Sequence, residues 1–285
     1  MDLKLRRGVP ADAAACGRIC FEAFKTLADR HNFPQDFPSA EIASGLMTFL
    51  LAHANFYSTI AEVDGRIVGS NFLDERNVIA GIGPISVDPA AQTRGVGRRL
   101  MEDVLERAHQ REFVGIRLVQ AGYNNQTLCL YTKLGFVTRE PLSVMTGPPL
   151  KIKLSGYSAR SARDDDMDEC DRLCRTIHSH DRSAELADAV RDKSATIVER
   201  LGRITGYATA IGFFAHAVGE TNEDLMASIA AAQHIAGPGI LVPTRNHGLM
   251  TWCLRNNLKL MQQMTLMTIG LYCEPAGAYL PSILY

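Results

Sequence analysis

The feature that most constrains this chain is that it repeats itself. Arg6, Asp12, Cys16, Arg18 and Cys20 recur in the same order as Arg160, Asp166, Cys170, Arg172 and Cys174, 154 positions on. Gly65-Arg66-Ile67-Val68-Gly69 is echoed by Gly202-Arg203-Ile204-Thr205-Gly206 at an offset of 137, Leu100-Met101 by Leu225-Met226 at 125, and Met145-Thr146 by Met267-Thr268 at 122. Offsets that shrink in one direction describe one unit copied twice, the second copy having lost residues in three places. The largest loss falls around Asn32 to Gly45. At about 150 residues per domain, 285 residues hold two such units. We therefore expect a first domain at 1–150, a linker at 151–156 and a second domain at 157–285.

Each unit has a readable order of elements. In the first, a strand at Leu3 to Arg7 precedes a helix from about Ala11 to Leu27, whose apolar residues fall at helical spacing, and a second helix near Ala40 to His53. Two β-branched runs, Phe56 to Val63 and Ile67 to Leu73, flank Asp64-Gly65, a strong hairpin signal. Ile79 to Val87 reads as one central strand, Arg98 to Gln110 as an amphipathic helix, Val114 to Gln120 as a strand and Gln126 to Lys133 as a helix. The order βααβββαβα, then strands, is that of an α/β domain.

Composition excludes several classes. Lys plus Arg number 30 against 31 for Asp plus Glu, so no overall field draws in nucleic acid or an anionic membrane. The longest nearly apolar run, Tyr207 to Gly219, contains His216 and is too short for the roughly 18 residues that span a bilayer. Seven cysteines, an odd number in a long chain, suit reduced thiols and a cytoplasmic setting. The basic start at Lys4, Arg6 and Arg7 is followed by Asp12 and Arg18, which argues against a signal peptide.

The sharpest local motif is Gln92-Thr93-Arg94-Gly95-Val96-Gly97-Arg98, between a buried strand and a helix. Its glycines allow a tight turn and close backbone approach, while the helix start offers unpaired N–H groups and the positive end of a dipole. Arg94, Arg98 and Arg99 add charge-assisted donors, so the junction suits a phosphate. A dinucleotide fingerprint would need G-x-G-x-x-G and a P-loop would need G-K-[ST], and neither is present.

What is present resembles the GNAT acetyltransferase superfamily, whose Q/R-x-x-G-x-G/A loop binds the pyrophosphate of acetyl-coenzyme A. Here it reads Gln92-x-x-Gly95-x-Gly97 after Ile85-Ser86-Val87-Asp88-Pro89. Downstream, Asn124, Thr127, Tyr131 and Gly135-Phe136 follow the family's N-x-x-A-x-x-x-Y-x-x-x-G-F pattern, with only Thr127 departing from it. The resemblance covers roughly Ile79 to Met145. It implies two tandem GNAT-like domains, each a mixed, mostly antiparallel twisted sheet flanked by helices, with acetyl-coenzyme A as co-substrate. It further implies that the backbone of Ile85 and Val87 lines the pantetheine arm, that Thr93 to Arg98 surround the pyrophosphate, and that Asn124 and Thr127 face the cofactor. Tyr131 is implied as the acid that protonates the departing thiolate.

The implied chemistry is direct acyl transfer to an amine within a ternary complex, with a small-molecule or peptide amine as acceptor. An alkylamine with a pKa near 10.4 is almost wholly protonated at pH 7, so some group must take its proton. His31, Asp36, Asp74 and Glu75 are the candidates, and 29–39, with Phe33 and Phe37, is the expected wall of the acceptor pocket. In the second copy, Glu220 and Asn222 stand for Gly95 and Gly97, Glu223 and Asp224 for Arg98 and Arg99, and Cys253 for Tyr131. Carboxylates there would oppose a pyrophosphate, so the cofactor is expected in the first copy only. The apolar end, Tyr279 to Tyr285, should dock rather than hang free. Cys16/Cys20 and Cys170/Cys174 read as small core residues, and His178 and His180 as helix-terminal or solvated. No metal, nucleic-acid or membrane partner is expected, a homodimer stays open, and the competing reading is a non-catalytic acyl-coenzyme A sensor.

Overall fold

The computed structural model describes residues 3–284. The first copy runs β1 (Leu3–Arg7), α1 (Ala13–His31), α2 (Ala40–Ala52), β2 (Phe56–Val63), β3 (Arg66–Asp74), β4 (Ile79–Ile82), β5 (Ser86–Val87), α3 (Val96–Gln110), β6 (Gly115–Ala121), α4 (Asn125–Lys133) and β7 (Val137–Thr146). The second runs β8 (Tyr157–Ser161), α5 (Met167–His178), α6 (Ser183–Arg191), β9 (Thr196–Arg200), β10 (Arg203–Ala208), β11 (Ala217–Gly219), α7 (Asn222–Ala231), β12 (Ile240–Pro243), α8 (His247–Arg255), β13 (Lys259–Gly270) and an added β14 (Ala278–Leu280). The element order of the first copy thus recurs in the second, apart from the single β11 and the extra strand. None of the described helices is long and apolar enough to cross a membrane.

The repeated Arg and Asp turn out to build the same clamp twice. Arg6 donates from its two Nη atoms to both oxygens of Asp12 at 2.7 and 2.9 Å, and from Nε to Glu62 at 2.8 Å. Asp12 also accepts the Val9 N–H at 2.9 Å, so one carboxylate joins β1 to the entrance of α1. In the second copy Arg160 donates to Asp166 at 2.7 and 2.8 Å and to Glu199 at 3.0 Å, and Asp166 accepts the Arg163 N–H at 2.8 Å. Fork-shaped guanidinium donors paired with a carboxylate explain why Arg and Asp, at this spacing, recur together.

The chain divides into two compact units. The first comprises the residues up to Leu118, Tyr123–Val137 and Thr268–Gly270; the second comprises Val119–Gly122, Thr138–Met267 and the residues from Leu271. In the first, β1 pairs with β2, β2 with β3 through a hairpin with Asp64 and Gly65 both at positive φ, and β3 with β4, all antiparallel; β4 pairs parallel with β6. Ala61, Val68, Ala91, Val96 and Leu100 form a buried cluster with Ile85 and Val87 against it. In the second, β14-β11-β10-β9-β8 form an antiparallel sheet, and β12 pairs with β7. Alternation puts Tyr207, Val218 and Tyr279 in one cluster with Cys170 and Cys174, and Ala208, Ala217, Ala278 and Leu280 in another with Leu225. The division of the sequence into repeats at 151–156 and the division into compact units differ, because most of β7 counts with the second unit and the end of β13 with the first.

Three expectations are corrected. The single strand from Ile79 to Val87 breaks into β4 and β5 around Gly83-Pro84. A proline has no N–H to give a ladder, so the break falls where the backbone can no longer pair on both sides. Helix α1 runs on past Leu27 to His31, capped by Asn32 in a left-handed conformation. His178 ends its helix as expected but is buried, edge-on to Tyr279 with ring centres 5.3 Å apart, rather than solvated.

Arg6 holds the Asp12 carboxyl below the usual 3.8, and Arg160 does the same for Asp166. A depressed folded pKa stabilises the fold above the unfolded value, and that contribution disappears as pH falls through the folded value. Asp12→Asn should therefore cost about 1–3 kcal/mol at neutral pH, with the deficit shrinking below about pH 4 as the native carboxylate also protonates. Urea unfolding of both proteins between pH 3 and 7 measures this.

Candidate active site

The break after β4 sets up the site. β4 pairs with β6, with Ile79, Ala80 and Gly81 opposite Gly115, Ile116 and Arg117, whereas among the described residues β5 pairs with β3 alone. Asp88 N–H donates to Val68 O at 2.8 Å. Alternate residues of an extended strand send their polar groups to opposite sides, so Ser86 faces β3 as Asp88 does and the backbone groups of Val87 face away from it, while Ile85 lies just before the strand with its side chain against the core cluster. The Val87 carbonyl accepts from Gln92 Nε2 at 3.1 Å, so the side chain of Gln92 braces the turn onto the strand.

From Val87 the chain turns through 88–95 into α3. Asp88 accepts the Ala90 N–H at 2.9 Å, Thr93 takes φ +65°, and Gly95 takes φ +83° as the residue before the helix. A Cβ on Gly95 would meet nothing within 4 Å, and one on Gly97 only Val87 Cγ2 at 3.8 Å, so the space over the helix start is open. The first N–H groups of α3 have no partner within the helix and point into that space. Val96 itself is buried in the core cluster, so it can offer a ligand its backbone only. Thr93, Arg94 and Arg98 are exposed; Thr93 Oγ1 donates to Gln92 O, and Arg98 lies 3.6 Å from Glu102. An open, glycine-lined helix start with exposed arginines is a fit for a pyrophosphate.

On α4, Asn124 and Thr127 are engaged with each other. Asn124 Oδ1 accepts the Thr127 N–H at 3.2 Å as the helix cap, and Thr127 Oγ1 donates to Asn124 O at 3.0 Å. One turn on, Tyr131 is buried, with its ring 6.0 Å from that of Phe136 at 62°. Burial alone pushes its phenol pKa well above 10, so its proton stays in place at neutral pH.

The expected wall of the acceptor pocket meets α4 through a residue that spacing did not single out. Phe33 stacks on Tyr123 with ring centres 4.2 Å apart and planes 7° from parallel, and the His31 ring lies 5.3 Å from the same tyrosine. Tyr123 directly precedes Asn124, which was the available signal. Phe37 is buried, edge-on to Phe24. Of the four candidate bases, Asp74 is clamped by Arg76 at 2.6 Å and Glu75 by Arg107 at 2.6 and 2.9 Å. His31 is exposed at the end of α1, and Asp36 is half-buried.

The second copy reaches the same point and fills it differently. Gly206 opposes Gly219 as Gly69 opposes Val87, but the other edge of β11 pairs with β14, Ala217 against Leu280, Val218 against Tyr279 and Gly219 against Ala278. The docking expected for the C-terminal segment is this strand; Tyr285 lies outside the described residues. Only Glu220 and Thr221 separate β11 from α7, so there is no loop to surround a phosphate. Asp224 is fully buried, accepting from Thr221 N–H and Oγ1 at 2.8 Å each and from Thr205, and Glu220 accepts from Arg203 at 2.7 Å. Asn246 caps α8 as Asn124 caps α4, by accepting the Leu249 N–H at 3.2 Å, and Cys253 is buried on that helix.

Residues 44–138 match the acetyltransferase (GNAT) domain family. Among solved structures, a candidate acetyltransferase from Pyrococcus horikoshii is similar over 95% of this chain and 90% of its own, with a TM-score of 0.73 and 18% identity. A GCN5-related N-acetyltransferase from Sphaerobacter thermophilus is similar over 95% and 96%, with a TM-score of 0.64 and 15% identity. A tandem GNAT protein from the clavulanic acid biosynthesis pathway is similar over 94% and 98%, with a TM-score of 0.58 and 13% identity. No curated protein sequence matches.

The two loop glycines should differ in their effect on stability. Gly95→Ala forces a side chain into left-handed backbone and should cost about 1 kcal/mol. Gly97→Ala adds a methyl at ordinary contact distance to a helical residue and should be neutral or stabilising by up to about 1 kcal/mol. Thermal or urea unfolding of the unliganded proteins checks both.

Proposed function

With residues 44–138 an acetyltransferase (GNAT) domain in a chain whose fold is of the tandem GNAT form, we propose that the first copy is an acetyl-coenzyme A-dependent N-acetyltransferase acting on a small-molecule or peptide amine. The observation that carries the reading is the side of Val87 turned away from β3, beside the open start of α3 and next to Ile85, which the resemblance pairs with it. An extended pantetheine arm can hydrogen-bond to such an edge as a strand would, while a pyrophosphate caps the helix. Thr93 to Arg98 supply backbone donors and Arg94 and Arg98 supply charge, with Gln92 holding Val87 in place. Asn124 and Thr127 fix the start of α4, and so the position of Tyr131.

In this reading the Val87 N–H polarises the thioester carbonyl, where negative charge develops during attack. The Tyr131 phenol, kept protonated by burial, donates its proton to the departing sulfur. The second copy does not bind the cofactor, because β14 occupies the edge of β11 and no loop follows it. That reason is steric and is stronger than the charge inversion seen in the sequence, since Asp224 is turned into its own helix cap.

Titration calorimetry should give one coenzyme A per chain. Gly97→Ala should weaken that binding at least tenfold without lowering stability. Tyr131→Phe should keep the affinity and lose about a hundredfold or more in turnover, followed as thiol release from acetyl-coenzyme A with a panel of amines. Two sites per chain, or binding indifferent to Gly97, would overturn the reading, and a native protein that binds without releasing thiol to any amine would be a sensor.

A further inference from the structure

Resting on that reading, the next inference concerns what holds the proposed acid in place. Helix α4 is nine residues long, and among its described residues Tyr131 alone is buried. A helix of that length is marginal by itself, and one buried side chain adds little, so its ends must set where it lies. At the far end, Phe136 packs against the Tyr131 ring and its N–H donates to Tyr131 O at 3.0 Å. At the near end Asn124 caps the helix, and Tyr123 is the residue before the cap, where packing fixes the angle at which a chain enters its helix.

Tyr123 is packed by the end of α1. Asn32 takes φ +56°, and the Phe33 N–H turns back to donate to Ala28 O at 3.0 Å, so the left-handed cap fixes Phe33 against the helix it leaves. Its ring then covers one face of Tyr123, with centres 4.2 Å apart and planes 7° from parallel. Helix α1 itself packs on β3 and β5. The stack therefore joins the two elements that carry opposite halves of the proposed chemistry, β5 with the Val87 N–H and α4 with the Tyr131 phenol. Burial pushes the Tyr123 phenol itself up to about 12, so it stays protonated at neutral pH and takes no proton from an amine.

The second copy fastens the same position with different chemistry. At the offset of 122, Arg245 stands for Tyr123 and Asn246 for Asn124. Asn246 caps α8, and Arg245 Nε donates to the buried Glu140 at 2.6 Å. An ion pair and a ring stack share nothing but their place, so the residue before the cap is where this helix is held in both copies. In the second copy Cys253 stands for Tyr131, and the fastening has no acid to place. We propose that Tyr123, held by Phe33, is a positioning residue for the transfer: the stack fixes α4 so that the Tyr131 phenol meets the departing sulfur. The covered face of Phe33 thus serves the acid through Tyr123 and does not line the acceptor pocket.

The test is a double-mutant cycle, followed as thiol release from acetyl-coenzyme A with an amine that the native protein accepts. Tyr123→Leu, which removes the stack, should lower kcat about tenfold or more, with KM for the amine and coenzyme A affinity by calorimetry unchanged within about twofold. Added to Tyr131→Phe, which has no acid left to misplace, Tyr123→Leu should cost less than about twofold more. Phe33→Leu should repeat both results from the other side of the stack, and decides the matter if Tyr123→Leu does not fold. Tyr123→Phe, which keeps the ring, should keep most of the turnover. Losses that multiply in the double variant, a rise in KM for the amine in place of a fall in kcat, or no loss at all would overturn the positioning role while leaving the transferase reading intact. A native protein that releases thiol to no amine, or Tyr131→Phe with full turnover, would overturn that reading and this role with it.

Discussion

The site depends on one constraint, that the strand after β3 cannot keep two partners along its whole length. Proline at position 84 has no N–H to offer, and beyond it Ser86 and Val87 stay with β3 while β6 stays with β4. The result is a strand edge with outward backbone groups beside a helix start. A strand edge and a helix start both present polar backbone groups, and folded proteins leave such groups uncovered only where water or a ligand can meet them. Gln92 answers one of them, the carbonyl of Val87.

The second copy answers the same constraint internally. Its β11 has the same relation to β10, yet the chain returns as β14 to satisfy the open edge, and Thr221 with Asp224 caps the helix that would otherwise receive a phosphate. Two copies of one fold thus show the corresponding edge in two conditions, one with no further strand on it among the described residues and one closed by the chain's own strand. What survives in both is the clamp of Arg6 with Asp12 and of Arg160 with Asp166, which serves folding and is indifferent to the fate of the site.

Much of this was legible in the sequence, and the misses share a cause. Element order, the hairpin at Asp64-Gly65, the glycine loop and the face carrying Asn124, Thr127 and Tyr131 follow from local chemistry that a chain cannot disguise. The split of the central strand was missed because Ile79 to Val87 is apolar but for Ser86, and periodicity does not register which side loses its partner. Tyr123 was missed because its importance comes from Phe33, ninety residues earlier and within stacking distance only after folding.

The sequence by itself determined the order of elements, their repetition, and which copy keeps the glycine loop, because these rest on spacing and on intrinsic side-chain and backbone chemistry. The tertiary structure decided how the strand after β3 is divided, how the second copy is closed and which carboxylates are clamped by arginines. Those outcomes turn on partners brought from distant segments, such as Arg107 for Glu75 and Leu280 for Ala217, and no local pattern encodes a partner that only folding supplies.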